Sequence, residues 1–276
     1  MKDSGNTSQE KHMRIWYQLL ASNARSVENI ASVQRLCDQV ASPGTTVEVH
    51  GSDPGSHDWD KYSFFQNFQV PVVLKNALKV RKHGGYDAFV MGNSLDPGLI
   101  GLRELLDIPV LSVMEVCCHT ACTLGEKFGV VTPNVKFNAK FRDIVAGYGL
   151  QQRCVGVAEL RVHKRISELK TMFVDKSFAD ETVEDFIRAG RILIEQGAEV
   201  LIPTGPTNSL LAHRKVHEVD GALVMDGYSL AVKAAEAMIA MHRLTGMCVS
   251  RKGRYASPPP DLLHKGAELH GFGDLL

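Results

Sequence analysis

The chain has 276 residues, 44% of them hydrophobic and 22% charged, so it can bury a sizeable core in one large α/β domain or two smaller lobes. Its formal net charge of zero argues against a nucleic-acid-binding surface. No apolar run approaches the roughly 18 residues that span a membrane, and the polar N-terminus lacks the apolar segment of a signal peptide. We therefore expect a cytoplasmic protein that binds neither nucleic acid nor a membrane.

Predicted strands and helices alternate along the chain. Short apolar runs predict strands, and apolar residues every three to four positions predict helices. The predicted strands are Met13–Leu20, Thr45–His50, Ala88–Met91, Ile108–Ser112, Phe128–Thr132, Val155–Leu160, Ala198–Pro203 and Gly221–Met225. The predicted helices are Ser26–Val40, Gln66–Lys82, Asp96–Asp107, Met114–Leu124, Lys136–Tyr148, Thr182–Gln196, one that starts at Leu210, and Leu230–Leu244. This alternation is typical of mostly parallel sheets with crossover helices on both faces.

Two strand ends share the same plan. Ala88–Met91 is followed by a polar turn, after which Asp96 suits a helix N-cap and Pro97 the first helical position. Ala198–Pro203 is followed by a second polar turn and a helix. Ligands bind at such ends because backbone N–H groups and the helix dipole converge there, although an ordinary strand–helix turn has the same pattern. The two ends predict two similar lobes that face each other across a cleft.

Small polar residues and turn residues at these predicted strand ends are the candidates for substrate binding. They are Ser22, Asn23, Asn93, Ser94, Thr132, Thr204, Gly205, Pro206, Thr207 and Asn208. With adjacent backbone N–H groups they can hold a carboxylate or a planar imide and stabilise an enolate-like anion. The competing interpretation is that turns and helix caps favour the same residue types.

Four segments, spread over about residues 13–245, are similar to one protein family. They are Asp96–Leu99 (DPGL), Leu105–Val110 (LLDIPV), Phe128–Thr132 (FGVVT) and Met225–Ala231 (MDGYSLA). In them the chain resembles the aspartate/glutamate/hydantoin racemase superfamily, and its hydantoin racemase branch most closely. The resemblance implies an α/β fold of two Rossmann-like lobes with mostly parallel sheets, pseudo-two-fold symmetry and an active site in the cleft between them. It also implies a small-molecule substrate, no organic cofactor and a homo-oligomer.

The expected organisation divides the chain into four parts. Residues 1–12 form a disordered lead, and residues 250–276, which include a run of three prolines, form a disordered tail. Residues 13–111 and 222–249 form lobe 1, and residues 112–221 form lobe 2.

The resemblance implies a two-cysteine mechanism from which this sequence departs. One thiolate would remove the α-proton, and the other would return a proton to the opposite face. Asn93 stands at the first cysteine's position, four residues before Pro97, and residues 204–207 around the second position contain no cysteine. A standard two-thiol racemisation is therefore not assigned, and Asn93 becomes a catalytic candidate by position.

Other candidates for proton transfer lie on the predicted helix Met114–Leu124. They are Glu115, Cys118 and His119, whose competing interpretations are a helix-terminal charge, a buried packing residue and a structural histidine. His50 precedes the long loop Gly51–Trp59, which contains His57 and can cover the cleft mouth. Cys118 and Cys122 lie one helical turn apart, but no second ligand pair stands out, so we expect no metal site. The six cysteines fit free thiols in a reducing compartment.

Three functions compete. The first is a cofactor-independent, racemase-type enzyme that acts at the carbon next to a carbonyl of a small hydantoin-like or acidic substrate. The second is a lyase or hydrolase on the same scaffold, such as a decarboxylase or a ring- or amide-cleaving enzyme. The third is a non-catalytic small-molecule binding protein. A racemase needs a titratable group on each face of the substrate carbon, or one mobile group, whereas a decarboxylase needs a single proton donor and a binder needs none.

Overall fold

A computed structural model describes residues 12–55, 58–162 and 166–276 of the chain. The strands are β1 (Met13–Ser22), β2 (Thr45–Ser52), β3 (Ala88–Met91), β4 (Val110–Ser112), β5 (Phe128–Thr132), β6 (Cys154–Glu159), β7 (Val200–Pro203), β8 (Glu218–Val219) and β9 (Ala222–Val224). The helices are α1 (Val27–Val40), α2 (Ser63–Gln66), α3 (Val70–His83), α4 (Leu99–Leu105), α5 (Val113–Leu124), α6 (Lys136–Gly147), α7 (Lys176–Glu195), α8 (Thr207–His213), α9 (Gly227–Thr245) and α10 (Pro260–Leu269). Three 3₁₀ helices span Asp58–Lys61, Ile166–Phe173 and Gly273–Leu275.

The strands form two sheets with matching topology. The first sheet has the order β2-β1-β3-β4, and all its pairs are parallel. The second has the order β6-β5-β7-β9-β8 and is parallel except for the final pair, β9 with β8. When β5, β6, β7 and β9 are matched with β1, β2, β3 and β4, the two orders are the same. The predicted α/β fold with mostly parallel sheets is therefore confirmed.

The central strands are buried along their length. Every residue of β3, β5 and β7 is buried, as a parallel sheet covered on both faces by helices requires. The bounds of β3 and β5 coincide with the predicted strands because both are unbroken apolar runs that end in a polar turn. Among the described residues, no helix is both long enough and apolar enough to cross a lipid bilayer.

The predicted lobe boundary at residue 222 needs correction. β9 pairs with β7 in the second sheet, where Leu201 lies opposite Val224, whereas the prediction assigned residues 222–224 to lobe 1. The chain returns to the first lobe only after this strand. α9 packs against α1, β3 and β4 of the first lobe and against α5. The strand has only three residues, which is too short for its sequence to indicate which sheet it joins.

The expected disorder of residues 250–276 also needs correction. This segment folds into α10 and a short 3₁₀ helix, and it contacts the first lobe. Arg251 donates hydrogen bonds to the Leu106 carbonyl and the Asp107 carboxylate, both at 2.6 Å. Lys82 donates to the Asp274 carbonyl at 2.7 Å. These bonds to the first lobe order a proline-rich sequence whose composition suggested a free tail. The predicted disordered lead, residues 1–12, lies outside the described residues except for His12.

Candidate functional site

A cavity of about 140 Å³ lies between the two lobes, at the carboxyl ends of their central strands. Its walls include Leu19–Ala21 from the end of β1 and Gly92–Leu95 from the turn after β3. The second lobe contributes Pro133 after β5 and Thr204–Pro206 after β7. Equivalent strands of the two sheets thus end at one place, which is where parallel α/β sheets bind ligands.

Asn93 shapes the turn after β3. Its Oδ1 accepts a hydrogen bond from the Leu95 N–H at 2.9 Å, and its carbonyl accepts one from the Asp96 N–H at 3.1 Å. The side-chain N–H2 group of Asn93 has no partner among the described residues. Asn93 and the buried Ser94 both line the cavity. The turn therefore leaves an unpaired amide donor on a residue that lines the cavity.

The turn after β7 is held from two sides. Thr204 donates from Oγ1 to the Val131 carbonyl at 3.0 Å. The Tyr228 hydroxyl, from α9, donates to the Gly205 carbonyl at 3.3 Å. Gly205 has φ of 62°, in the left-handed region that favours glycine. Burial raises the pKa of the Tyr228 phenol well above its ordinary value, so this side chain stays protonated.

The cavity also contains polar and charged residues that the sequence analysis did not single out. They are Arg25, Asn29, Asp60, Gln69 and Lys170. Asp60 lies in the 3₁₀ helix that follows the loop predicted to cover the cleft mouth, and that loop is the one sequence signal that pointed towards it. Asp60 is 6% exposed and Gln69 9% exposed, and Gln69 Nε2 donates a hydrogen bond to Asp60 Oδ1.

Asn29 lines the cavity, but its unpaired side-chain oxygen is enclosed behind the wall. The residue lies on α1, is 9% exposed, and its Oδ1 is buried without a hydrogen-bond partner in the described residues. Leaving a buried acceptor unpaired costs about 1–3 kcal/mol. Because this oxygen has almost no solvent-accessible surface, a ligand in the cavity does not reach it unless the side chain moves.

The predicted binding residues divide into two groups. Asn93, Ser94, Thr204, Gly205 and Pro206 line the cavity. Ser22, Asn23, Thr132, Thr207 and Asn208 do not belong to its lining. The lining group retains its predicted binding role as a prediction.

Most residues of the second group hold the surrounding loops. Ser22 Oγ accepts a hydrogen bond from the Arg25 N–H at 3.3 Å, and Thr132 Oγ1 donates to Asn138 Oδ1 at 2.9 Å. The exposed Asn23 donates to Asp53 at 2.9 Å. Asn208 Oδ1 accepts from the Gly227 N–H at 3.2 Å. The turn-forming role that competed with ligand binding therefore describes these four residues.

The predicted proton-transfer residues on α5 do not line the cavity. Cys118 is fully buried, and burial raises the pKa of its thiol far above the ordinary value. Glu115 accepts hydrogen bonds from both terminal nitrogens of Arg103. His119 is exposed, with its ring centre 6.0 Å from that of Tyr148. α5 follows β4, an edge strand of the first sheet, and packs against α9, β5 and β7.

Asp96 is not a helix N-cap, contrary to the sequence-based interpretation. α4 begins at Leu99 after Gly98, and Asp96 has φ of 52°. Its carboxyl group accepts hydrogen bonds from Ser112 Oγ and the Tyr148 hydroxyl. Although the residue as a whole is partly exposed, the carboxyl group is enclosed, and this burial raises its pKa to about 8.

A second cavity, of about 270 Å³, adjoins the first and shares Leu20 and Gln69 with it. Its other walls are mostly apolar: Ser52, Pro54, Gly55, Trp59, Phe65, Phe68 and Val72. We call it the apolar chamber. His50 lies elsewhere, with its ring stacked on Trp16 at 3.4 Å, and His57 falls outside the described residues.

Comparison with known proteins gives a consistent result. Residues 22–235 match the family model described as Asp/Glu/Hydantoin racemase. A hydantoin racemase of Rhizobium meliloti is 29% identical over 197 residues, which cover 68% of this chain and 73% of that protein. A hydantoin racemase of Pseudomonas sp. (strain NS671) is 25% identical, with coverage of 66% and 70%.

Solved structures share the fold. The crystal structure of allantoin racemase from Pseudomonas fluorescens superposes with a TM-score of 0.74 at 24% identity, over 90% of this chain and 98% of that one. Allantoin racemase from Klebsiella pneumoniae gives a TM-score of 0.71 at 24% identity, over 89% and 94%.

Proposed function

The chain belongs to the Asp/Glu/hydantoin racemase family, and from this membership we propose that it is a racemase-type enzyme acting in the cavity between its lobes. Its substrate is a small hydantoin-like ring, and the reacting atom is the ring carbon next to a carbonyl. The observation that supports this most strongly is the meeting of two equivalent strand-end turns, after β3 and after β7, at one small cavity.

The size and polarity of the cavity support this substrate class. A cavity of roughly 150 Å³ holds a benzene molecule, so the cavity of about 140 Å³ suits a five-membered ring. Hydantoin-like rings have N–H groups and carbonyl oxygens. The Asn93 amide would donate to a ring carbonyl. Donors aimed at that oxygen would stabilise the enolate that forms when the adjacent carbon loses its proton.

The apolar chamber supports a ring that has a bulky apolar substituent. The chamber shares Leu20 and Gln69 with the first cavity, so a group attached to a ring there would extend towards Trp59, Phe65 and Phe68. Burying such a group stabilises the complex by about 25 cal/mol per Å² of apolar surface.

A substitution in the chamber tests this preference. Val72→Trp fills part of it and should lower kcat/KM for a benzyl-substituted hydantoin about tenfold or more, while sparing a methyl-substituted one. Phe64→Ala is the control, because the Phe64 ring packs against Phe65 and Phe68 but lies outside the chamber lining. An equal loss for both substrates would contradict the assignment of the chamber.

Proton NMR in D2O tests the main proposal. Single enantiomers of 5-substituted hydantoins are incubated with the protein, and we expect deuterium to enter the α-position as optical rotation is lost. Conversion of the substrate into new products would instead indicate a lyase or hydrolase. Binding detected by thermal shift without exchange would indicate a non-catalytic binding protein.

We further propose that the enzyme needs no organic cofactor, forms a homo-oligomer and works in the cytoplasm. The family resemblance supports the first two properties, and six cysteines present as free thiols support the third. Light scattering coupled to size-exclusion chromatography measures the oligomeric state, and a monomer would contradict that part of the proposal. Exchange activity that survives exhaustive dialysis would support the proposal that no organic cofactor is needed.

A further inference from the structure

We propose that Asp60 and Lys170 form the acid–base pair that replaces the two absent thiols, an inference that rests on the proposed function. Asp60 removes the α-proton of one enantiomer, and Lys170 delivers a proton to the same carbon. Both residues line the cavity between the lobes. They come from different lobes, because Asp60 follows β2 and Lys170 follows β6.

The cavity offers few alternatives for this chemistry. Its titratable side chains among the described residues are Arg25, Asp60, Lys170 and Tyr228. A guanidinium does not release its proton under physiological conditions. Tyr228 is buried and already donates its hydroxyl proton to the Gly205 carbonyl. None of the six cysteines belongs to the cavity lining.

The local structure fixes the position of Asp60. Gln69 Nε2 donates to the carboxylate Oδ1, and Gln66 Nε2 donates to the Asp60 backbone carbonyl at 2.5 Å. Asp60 is 6% exposed and borders the cavity, so water reaches it mainly from there. A carboxylate that is held in one orientation and largely enclosed by the protein is suited to take a proton from carbon.

Lys170 is positioned by a separate element. It lies in the 3₁₀ helix Ile166–Phe173, which Leu169 and Met172 anchor with their buried side chains. This helix packs against the 3₁₀ helix that contains Asp60, so the two lobes approach each other over the cavity. The Lys170 side chain is exposed, which lets its protons exchange with solvent.

The reaction balances without an oxidant or reductant. The Asp60 carboxylate accepts the α-proton, and the C–H electron pair forms a C=C bond while the carbonyl π electrons move onto oxygen. The Lys170 ammonium then donates a proton to the other face of the carbon, and the carbonyl re-forms. The Asp60 carboxyl and the Lys170 amine exchange protons with water to restore their starting forms. In the opposite direction the Lys170 amine takes the proton and the Asp60 carboxyl returns it.

This pairing makes an enantiomer-specific prediction. Each group faces one side of the bound carbon, so each can exchange the α-proton of only one enantiomer. Asp60→Asn should reduce racemisation at least 100-fold and abolish deuterium exchange from one enantiomer, while exchange from the other persists. Lys170→Met should show the opposite enantiomer preference. Asp58→Asn and Lys176→Met are controls of matching charge change outside the cavity lining, and both should behave like the wild type.

The outcomes separate the two proposals. If the Asp60→Asn variant exchanges and racemises as fast as the wild type, the acid–base pair is overturned and the proposed function still stands. Equal loss for both enantiomers, in variants that fold and still bind a hydantoin by calorimetry, would also overturn it. Asp60→Glu retains a carboxylate, so it should recover part of the exchange if Asp60→Asn fails to fold, and its complete inactivity when folded would count against the pair. No exchange by the wild type with any hydantoin would overturn both proposals.

Discussion

Asn93 occupies the position at which the family resemblance implies the first catalytic cysteine. A carboxamide neither takes nor gives a proton at neutral pH, but it is a strong hydrogen-bond donor. Asn93 already uses its oxygen to shape the turn after β3, through the bond to the Leu95 N–H. We therefore expect this position to bind substrate rather than to transfer a proton.

Replacing Asn93 by alanine tests this role. Asn93→Ala should lower kcat/KM by about 10- to 100-fold, because losing one hydrogen bond to the substrate costs roughly 1–3 kcal/mol. The melting temperature should change little, since the residue is only partly buried at a turn. Asn134→Ala is a matched control, because Asn134 Oδ1 accepts from the Lys136 N–H at 3.0 Å in a similar turn outside the cavity lining. Full turnover in Asn93→Ala would contradict the placement of the site.

Asp96 links stability to pH. The pKa of its carboxyl is raised from 3.8 to about 8, chiefly by burial; nearby Glu115 also raises it, whereas the hydrogen bond from Ser112 and the charge of Arg103 oppose the shift. Between these two values the folded state holds a proton that the unfolded state has lost. This group therefore lowers the free energy of unfolding as pH rises from about 4 to about 8, by at most about 1.4 kcal/mol per pH unit.

Asp96→Asn should remove this contribution. Its amide oxygen can still accept from Ser112 or Tyr148, but the side chain no longer titrates. Relative to the wild type, the variant should become progressively more stable as pH rises from 5 to 9. Urea unfolding at pH 5, 7 and 9 measures the difference, and two parallel pH profiles would show that the Asp96 carboxyl does not titrate in this range.

The elements of this chain differ in how far their own sequence determines them. β3 and β5 could be predicted because each is an apolar run that is buried on both faces. The role of Asp96 could not be predicted, since its partners Ser112 and Tyr148 lie 16 and 52 residues further along the chain. α10 was missed for the same reason, because the segment before it is fixed by hydrogen bonds to residues more than 140 positions away.

Arg251 connects the C-terminal segment to the end of α4. Its guanidinium donates to the Arg103 carbonyl at 2.5 Å and to the Leu106 carbonyl at 2.6 Å, where a helix leaves carbonyls unpaired and favours a cation. Arg251→Ala should lower the free energy of unfolding by about 1–2 kcal/mol. It should also speed proteolysis within residues 250–276. Arg254→Ala removes an exposed arginine from the same segment and is the control. Equal stability of the two variants would contradict this role.

For the molecule as a whole, the positions of the cysteines predict that alkylation of thiols leaves the activity intact. Cys37, Cys117 and Cys118 are buried, Cys122, Cys154 and Cys248 are partly buried, and none belongs to the cavity lining. Iodoacetamide in the native state should therefore leave hydantoin turnover unchanged within about twofold, as the alkylated positions lie outside the site. Mass spectrometry identifies which cysteines react. Inactivation that a bound hydantoin prevents would show that a thiol takes part in the reaction.

The candidate site could be predicted from the sequence only in part. The strand ends that supply Asn93, Ser94 and Thr204 were identifiable, because polar turns after buried strands have a local signature. Asp60 and Lys170 come from 3₁₀ helices in long connections, and their convergence depends on how the two lobes meet. The sequence of a long connection does not by itself show which of its residues face the cavity.

The connections between the lobes restrict how the cleft can open. The chain passes from one sheet to the other twice, through α5 and again between β9 and α9. These two passages touch, since a Cβ on Gly227 at the start of α9 would lie 2.6 Å from Cys117 Sγ on α5. Because the two connections adjoin, we expect the cleft to open by rotation about them rather than by sliding of one lobe past the other. Because Gly227 has no side chain, the start of α9 can approach α5 closely at this point.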